Sequence, residues 1–136
     1  MINLTDVYKI VYTRLDKISC NLYDYVPYGL LDFPYVYIGG LYNRDNSVKN
    51  NEELSCELYI NVISAYRGRK EILDIMNEII NLMNQDMSTN EYSIVAKQGR
   101  HTVSQIRDNV GWGKSDNNTF YHAVLIYEIN ITQKNK

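Results

Sequence analysis

The chain has 136 residues, of which 45% are hydrophobic and 22% are charged, and its formal net charge is −2. This length and composition predict a single globular domain over residues 1–136. The near-neutral charge argues against a protein whose main affinity is for nucleic-acid phosphates, because such proteins present a basic patch. No stretch reaches the roughly 20 apolar residues that cross a bilayer, so no membrane segment is predicted.

The first third of the chain predicts one helix and two short strands. Apolar and aromatic residues recur at helical spacing over about four turns: Leu4, Val7, Tyr8, Val11, Tyr12, Leu15 and Ile18. Asn3 or Thr5 can cap this helix. Strands are predicted at residues 21–26, ended by Pro27, and at residues 35–40, where Gly39 and Gly40 let the chain bend or end the strand.

A polar arm is predicted at residues 43–53, which contain almost no apolar residue and show no period. The segment is too long for a tight hairpin turn. It is typical of a protruding, mobile loop.

The middle of the chain predicts a strand followed by a helix. Apolar and polar residues alternate over residues 54–62, the pattern of a strand with one buried face. Residues 70–84 carry one apolar stripe at helical spacing. We expect Gly68 to cap this helix and Glu71 to lie in its first turn, where the helix dipole favours a carboxylate.

The last third predicts strands separated by polar loops. A loop at 85–91 precedes a strand at 92–97 that continues through 101–106, and a second loop follows at 108–118. Residues 119–131 form a long strand with apolar groups on both faces, so it is expected to be central or partly covered. Residues 132–136 are expected to be a frayed tail. The predicted class is therefore α+β, a mainly antiparallel sheet with two helices on one face, in the order α-β-β-β-α-β-β.

No catalytic, cofactor-binding or metal-binding set is visible in the sequence. Residues 111–115 end like a phosphate-binding loop, but the motif's first glycine is replaced by Asp108, and residues 116–118 would break the helix that must follow. His101 and His122 have no ligand partner at metal-binding spacing. Cys20 and Cys56 are expected to be free thiols in a reducing compartment.

Two features could serve as contacts with a partner. Trp112, flanked by glycines, either contacts a partner or folds back on its own sheet. The basic cluster of residues 67–70 either contacts a partner carboxylate or a phosphate, or is a solvated turn. The 13 tyrosines suit strands and interfaces, although an AT-rich genome explains their number first.

In the order and spacing of its segments, the chain resembles the phage tail completion and tail terminator proteins. The similarity covers the N-terminal helix, the strand entering Val26 and Pro27, and a Pro-Tyr-Val strand within residues 33–39. It continues with the polar loop, the strand ending at residues 60–64, Arg67 and Gly68 with a helix behind them, and the closing strand.

The resemblance implies a structural virion protein of the tail or neck and no enzymatic activity. Its subunits would form a homo-hexameric ring that contacts the tail tube protein and a head connector or collar protein. DNA would pass through the lumen of the ring without specific binding. The particle would be assembled in the cytoplasm of a bacterial host. The alternatives are an adaptor that forms no ring and, as the least favoured, a small nucleotide-binding enzyme.

The ring interpretation makes the polar arm, the basic cluster and the second loop contact elements. The residues predicted at interfaces are Arg44, Asp45, Asn46, Val48, Lys49, Glu52, Arg67, Arg69, Trp112 and Lys114.

Overall fold

The computed structural model describes residues 2–25, 27, 32–43, 53–66, 68–106 and 120–134. Its elements occur in the predicted order: α1 (Leu4–Leu15), β1 (Asn21–Tyr23), β2 (Tyr35–Asn43), β3 (Glu53–Ser64), α2 (Lys70–Met83), β4 (Tyr92–Ile106) and β5 (Phe120–Gln133). The strands form one sheet in the order β1-β2-β3-β5-β4. The β1–β2 pair is parallel, and the other three pairs are antiparallel. The predicted α+β class is confirmed.

Helix α1 begins where the sequence places a cap. Of the two candidates, Asn3 is the cap, and its Oδ1 accepts the Asp6 amide at 3.2 Å. The helix is shorter than predicted, at 12 residues, and turns follow it before β1. Val7, Val11 and Leu15 on its inward side are buried, as predicted.

The start of α2 differs from the prediction. The N-cap is Arg69, not Gly68, and its side chain makes no capping hydrogen bond. Gly68 lies one residue earlier with φ +93°, a left-handed conformation that glycine adopts without strain, and it turns the chain out of β3. Glu71 does lie in the first turn, where its Oε1 accepts the Ser64 hydroxyl at 2.7 Å. This bond ties the helix start to the end of β3.

Strand β2 runs past the point where glycine could have ended it. The pairing with β3 shifts between Ile38 and Gly40, so Gly39 marks a bulge and the strand bends rather than ends. Asn43 pairs with Cys56, and Glu53 pairs with Thr132 of β5. Both ends of the predicted arm thus belong to strands. Residues 44–52 lie outside the described residues.

Strand β4 has the predicted extent, and β5 is longer than its sequence pattern indicates. Strand β4 is continuous to Ile106, with a bulge between Gln98 and His101. Thr132 and Gln133, predicted to fray, belong to β5, and the following Lys134 amide donates to the Glu91 carbonyl at 2.9 Å. These residues stay ordered because β5 lies between β3 and β4 and finds partners on both sides, in agreement with its predicted interior position.

The two faces of the sheet are different. We call the face under the helices the inner face, and it carries the alternating buried residues of β3 and β5: Cys56, Leu58, Ile60, Val62, Ala123, Leu125, Tyr127, Ile129 and Ile131. The inward residues of α1 and α2 complete this core. The opposite face, here the outer face, carries the residues between them, including Tyr35, Asn61, Ile63 and His122. Both helices therefore cover one face, as predicted.

Candidate assembly surfaces

Of the residues predicted at interfaces, the structure describes Arg69. The other nine lie outside the described residues: Arg44, Asp45, Asn46, Val48, Lys49, Glu52, Arg67, Trp112 and Lys114. Arg69 is exposed, and its guanidinium carbon lies 5.2 Å from the centre of the buried Tyr121 ring. This cation–π contact fixes a positive charge at the end of the sheet where β3 ends and β5 begins.

An aromatic cluster lies at the same end of the outer face, formed by Tyr23, Tyr25, Phe33, Tyr35, Tyr37 and Phe120. Its ring centroids are 5.2 to 6.4 Å apart, and Phe33 contacts both Tyr35 and Phe120. Burial raises the pKa of Tyr35 to about 12. Tyr35, Ile63 and Phe120 are buried yet separate from the main core, so this end of the outer face has a small core of its own. Base composition explains the number of tyrosines but not this grouping.

Towards the middle of the outer face the residues become polar. His122 Nε2 lies 2.9 Å from Asn61 Oδ1. An amide oxygen only accepts hydrogen bonds, so this ring nitrogen is the donor. Burial lowers the pKa of His122, which favours the neutral ring. A Cβ added at Gly39 would lie 2.5 Å from Asn61 Nδ2, so the missing side chain leaves room for the amide.

The other histidine faces the core. His101 lies on the inner face of β4, 5.8 Å from the Tyr127 ring, and burial raises the pKa of that tyrosine to about 12. Within the described part of the chain, neither ring nitrogen of His101 has a hydrogen-bond partner, and neither does the Tyr127 hydroxyl. No group of three potential metal ligands is found among the described residues. The structure thus assembles no metal site around either histidine in that part of the chain.

A groove with an acidic lining runs along the first turns of α2. Its volume is about 430 Å³, and we call it the acidic groove. Three carboxylates and one ammonium group are among its lining residues, which are Ser19, Cys20, Pro34, Tyr66, Lys70, Glu71, Asp74, Ile75 and Glu78. Burial, and then the charges of Glu78 and Glu71, raise the pKa of Cys20 to about 11. The local potential is therefore negative, and Cys20 stays a thiol at neutral pH.

A second groove, with a basic lining, lies between α1 and the loop after α2. We call it the basic groove, and its volume is about 370 Å³. It is lined by Lys9, Ile10, Thr13, Arg14, Lys17, Met87, Ser88 and Thr89. The Arg14 guanidinium donates to the Leu82 carbonyl at 3.2 Å and to the Asp86 carbonyl at 2.8 Å. These bonds join α1 to the end of α2 and fix one wall of the groove.

Strand β4 forms one edge of the sheet, and the loop that precedes it covers the start of that edge. The Ile94 amide donates to Ser88 Oγ at 3.0 Å, and the Thr89 amide donates to the Tyr92 carbonyl at 2.8 Å. Side chains or loop backbone thus use the first outward-pointing groups of this edge, which limits pairing with another chain there.

No protein-family model matches the sequence, and no curated protein matches it. Among solved structures, the fold is similar to a chain of the virion of a native gene transfer agent particle. The two share 18% sequence identity at a TM-score of 0.67, over 90% of this chain and 91% of the other. At that identity the similarity establishes a shared fold. No helix in the described residues is long and apolar enough to cross a membrane.

Proposed function

We propose that this chain is a structural subunit of a virion or a phage-tail-like particle, and that it forms a ring that ends the tail tube and joins it to the head or collar. The observation that carries the proposal is the shared fold with a virion chain, which extends over nine-tenths of both chains. The role proposed is structural and not enzymatic.

The order of the elements supports the finer role of tail terminator. The N-terminal helix, the strand beginning at Tyr35, the strand–helix pair of β3 and α2, and the closing strand β5 occur in the order on which the resemblance to the terminator family rests. The partners proposed are other copies of the chain in a six-fold ring, the tail tube protein and a head connector or collar protein. The net charge of −2 suits a lumen through which DNA slides, because a basic lumen would hold the phosphates.

The proposed location is the neck of the particle, after assembly in the cytoplasm of a bacterial host. Residues 44–52 and Trp112 are proposed as contacts that join the subunit to its neighbours. Closure of a ring would strengthen these contacts, because many of them are made at the same time. Removing residues 46–51 should leave a folded protein that no longer completes particles.

The experiment that tests the proposal is to make particles without this chain and to measure tail lengths by electron microscopy. We expect tubes of widely spread length that carry no head, and recovery when the wild-type chain is supplied. Tails of normal length joined to heads in the absence of the chain would contradict the proposal.

A further inference from the structure

The acidic and basic grooves lie at different ends of α2 and have opposite charge. Among the residues that line the acidic groove, Glu71, Asp74 and Glu78 are negative and Lys70 is positive. The charged residues lining the basic groove are Lys9, Arg14 and Lys17, all positive. Helix α2 has 14 residues and so spans roughly 20 Å at about 1.5 Å per residue. The two grooves are therefore separate patches on one subunit.

The negative charges of the acidic groove are only weakly offset by positive charges of the same subunit. Glu71 accepts a hydrogen bond from the Ser64 hydroxyl, and Glu78 accepts from the amide and hydroxyl of Ser19 at 2.9 and 2.7 Å. These donors are neutral, so they orient the carboxylates without cancelling them. Asp74 pairs with Lys70 at 2.9 Å, but both side chains are more than half exposed, and such surface pairs are weak.

The cations of the basic groove are similarly free to meet an anion. Arg14 donates to backbone carbonyls, which carry no net charge. Asp86 lies close by, and its pKa is lowered first by hydrogen bonds from Ser88 and further by the charges of Lys134 and Arg14. Lys9 and Lys17 are exposed and form no ion pair with another residue of the described ranges.

The exposed lysines of the basic groove form a ridge that is opposite in charge to the acidic groove. Lys9 and Thr13 are exposed and lie one turn apart on α1, and the exposed Lys17 lies in the turn that follows the helix. Glu71 and Glu78 are seven residues apart on α2, roughly 10 Å along the helix axis. The ridge thus presents two positive charges, and the acidic groove presents three negative charges and one positive charge.

Both helices belong to the same chain, so the matching partner is another copy. Two acidic grooves facing each other across a two-fold axis would repel, whereas a head-to-tail contact places each acidic groove against a lysine ridge. Contacts between different patches repeat from copy to copy, and they close into a ring when the rotation allows it.

We infer that the acidic groove of one subunit receives the Lys9–Thr13–Lys17 ridge of a second copy of this chain, and that repetition of this contact builds the ring. The inference rests on the proposed function, because closure into a ring is part of that proposal. It assigns the subunit contact to described residues on the helical layer, separately from residues 44–52.

Reciprocal charge reversal tests the contact. Lys9→Glu with Lys17→Glu removes the positive ridge. Asp74→Lys with Glu78→Gln reverses the groove, and the amide oxygen introduced by the second substitution still accepts from Ser19. Each double variant should lower the yield of completed particles by about tenfold or more, since like charges then oppose docking. The chain carrying all four substitutions should recover a large part of that yield, because the contact again joins opposite charges.

A matched control separates this contact from a general effect of charge. Lys97→Glu with Arg100→Glu changes the net charge by the same amount as the double lysine variant on exposed positions of β4, and the yield should stay near wild type. Thermal unfolding of each variant verifies folding. Normal particle yield from a folded Lys9→Glu, Lys17→Glu chain, or no recovery in the folded four-substitution chain, would overturn the inference.

A cross-linking measurement keeps the inference testable if a double variant does not fold. A Lys17→Cys chain and an Asp74→Cys chain, both with Cys20→Ser, are supplied together, and oxidised particles are examined for disulfide-linked dimers. A dimer that requires both chains supports the contact, and its absence from particles that contain both chains overturns it. Neither result affects the proposed function, which fails instead if particles contain none of the chain.

Discussion

The inner and outer faces of the sheet are built from the same strands, yet they are stabilised differently. On the inner face, Leu58, Ile60 and Leu125 are fully buried under two helices, and dense aliphatic packing stabilises that side. On the outer face, a cluster of aromatic rings gives way to the hydrogen-bonded pair of Asn61 and His122. The stability of the inner face thus depends on how well apolar side chains fill space, and that of the middle of the outer face depends on a hydrogen bond. Different substitutions should therefore destabilise the two faces.

The largest difference should come from truncation of the inner face. Leu58→Ala removes a fully buried side chain and leaves a cavity, so the free energy of unfolding should fall by about 2–5 kcal/mol. Val95→Ala on the outer face of β4, at a position 53% exposed, should change it by less than about 0.5 kcal/mol. Chemical denaturation of both variants measures the contrast. Equal losses of unfolding free energy in the two variants would mean that the helices do not bury the inner face.

A smaller effect should follow from adding one methyl group on the outer face. In Gly39→Ala the new Cβ displaces the Asn61 amide, which breaks its hydrogen bond to His122 and should cost about 1–2 kcal/mol of stability. The same substitution in an Asn61→Ala chain has no amide to displace, so its cost should vanish. An equal cost in both backgrounds, measured as a double-mutant cycle, would exclude the steric cause.

The outer face should also confer a dependence on pH. Burial lowers the folded-state pKa of His122 below its ordinary value of 6.5, so the unfolded chain binds the proton more readily. The stabilisation is fully present above pH 6.5 and decreases as the pH falls towards the folded-state pKa. Urea denaturation between about pH 8 and pH 5 should show this decrease in the wild type and a flatter profile in His122→Gln. Identical profiles would assign the pH dependence to other groups.

The smallest effect concerns a polar group on the inner face. The Tyr127 hydroxyl has no hydrogen-bond partner among the described residues, so Tyr127→Phe should leave stability unchanged or raise it by up to about 1 kcal/mol. Tyr92→Phe is the matched control, because the Tyr92 hydroxyl accepts the Asn3 amide at 3.2 Å, and it should lose about 0.5–1.5 kcal/mol. A clear loss in Tyr127→Phe would show that its hydroxyl is satisfied in solution.

The local patterns of the sequence predicted the elements that form them. The alternation in β3 and the apolar stripe of α2 are periodic over many residues, and both elements occur where the periods predict them. The cap of α2 was predicted wrongly at Gly68, since its position depends on one backbone angle that no periodic pattern reports. The order of Thr132 and Gln133 depends on pairing with distant strands, which is also invisible locally.

The assembly surfaces were harder to predict from sequence. Arg69 is the predicted contact residue that the structure describes, and its stacking on Tyr121 joins residues 52 positions apart in the chain. Lys9 and Lys17 can be identified as exposed cations from the sequence, because their spacing places them on the solvent side of the predicted helix. The acidic groove, which Glu71 and Glu78 line, cannot be predicted from the sequence, because its walls come from separate segments of the chain.

Antibody-gold labelling of purified particles in the electron microscope tests the central claim most directly. If the chain is the ring that ends the tail tube, gold should lie at one end of the tube, at the neck, and an immunoblot of the same particles should detect the chain. Particles that carry no gold and no chain on the blot would contradict a structural role in the virion.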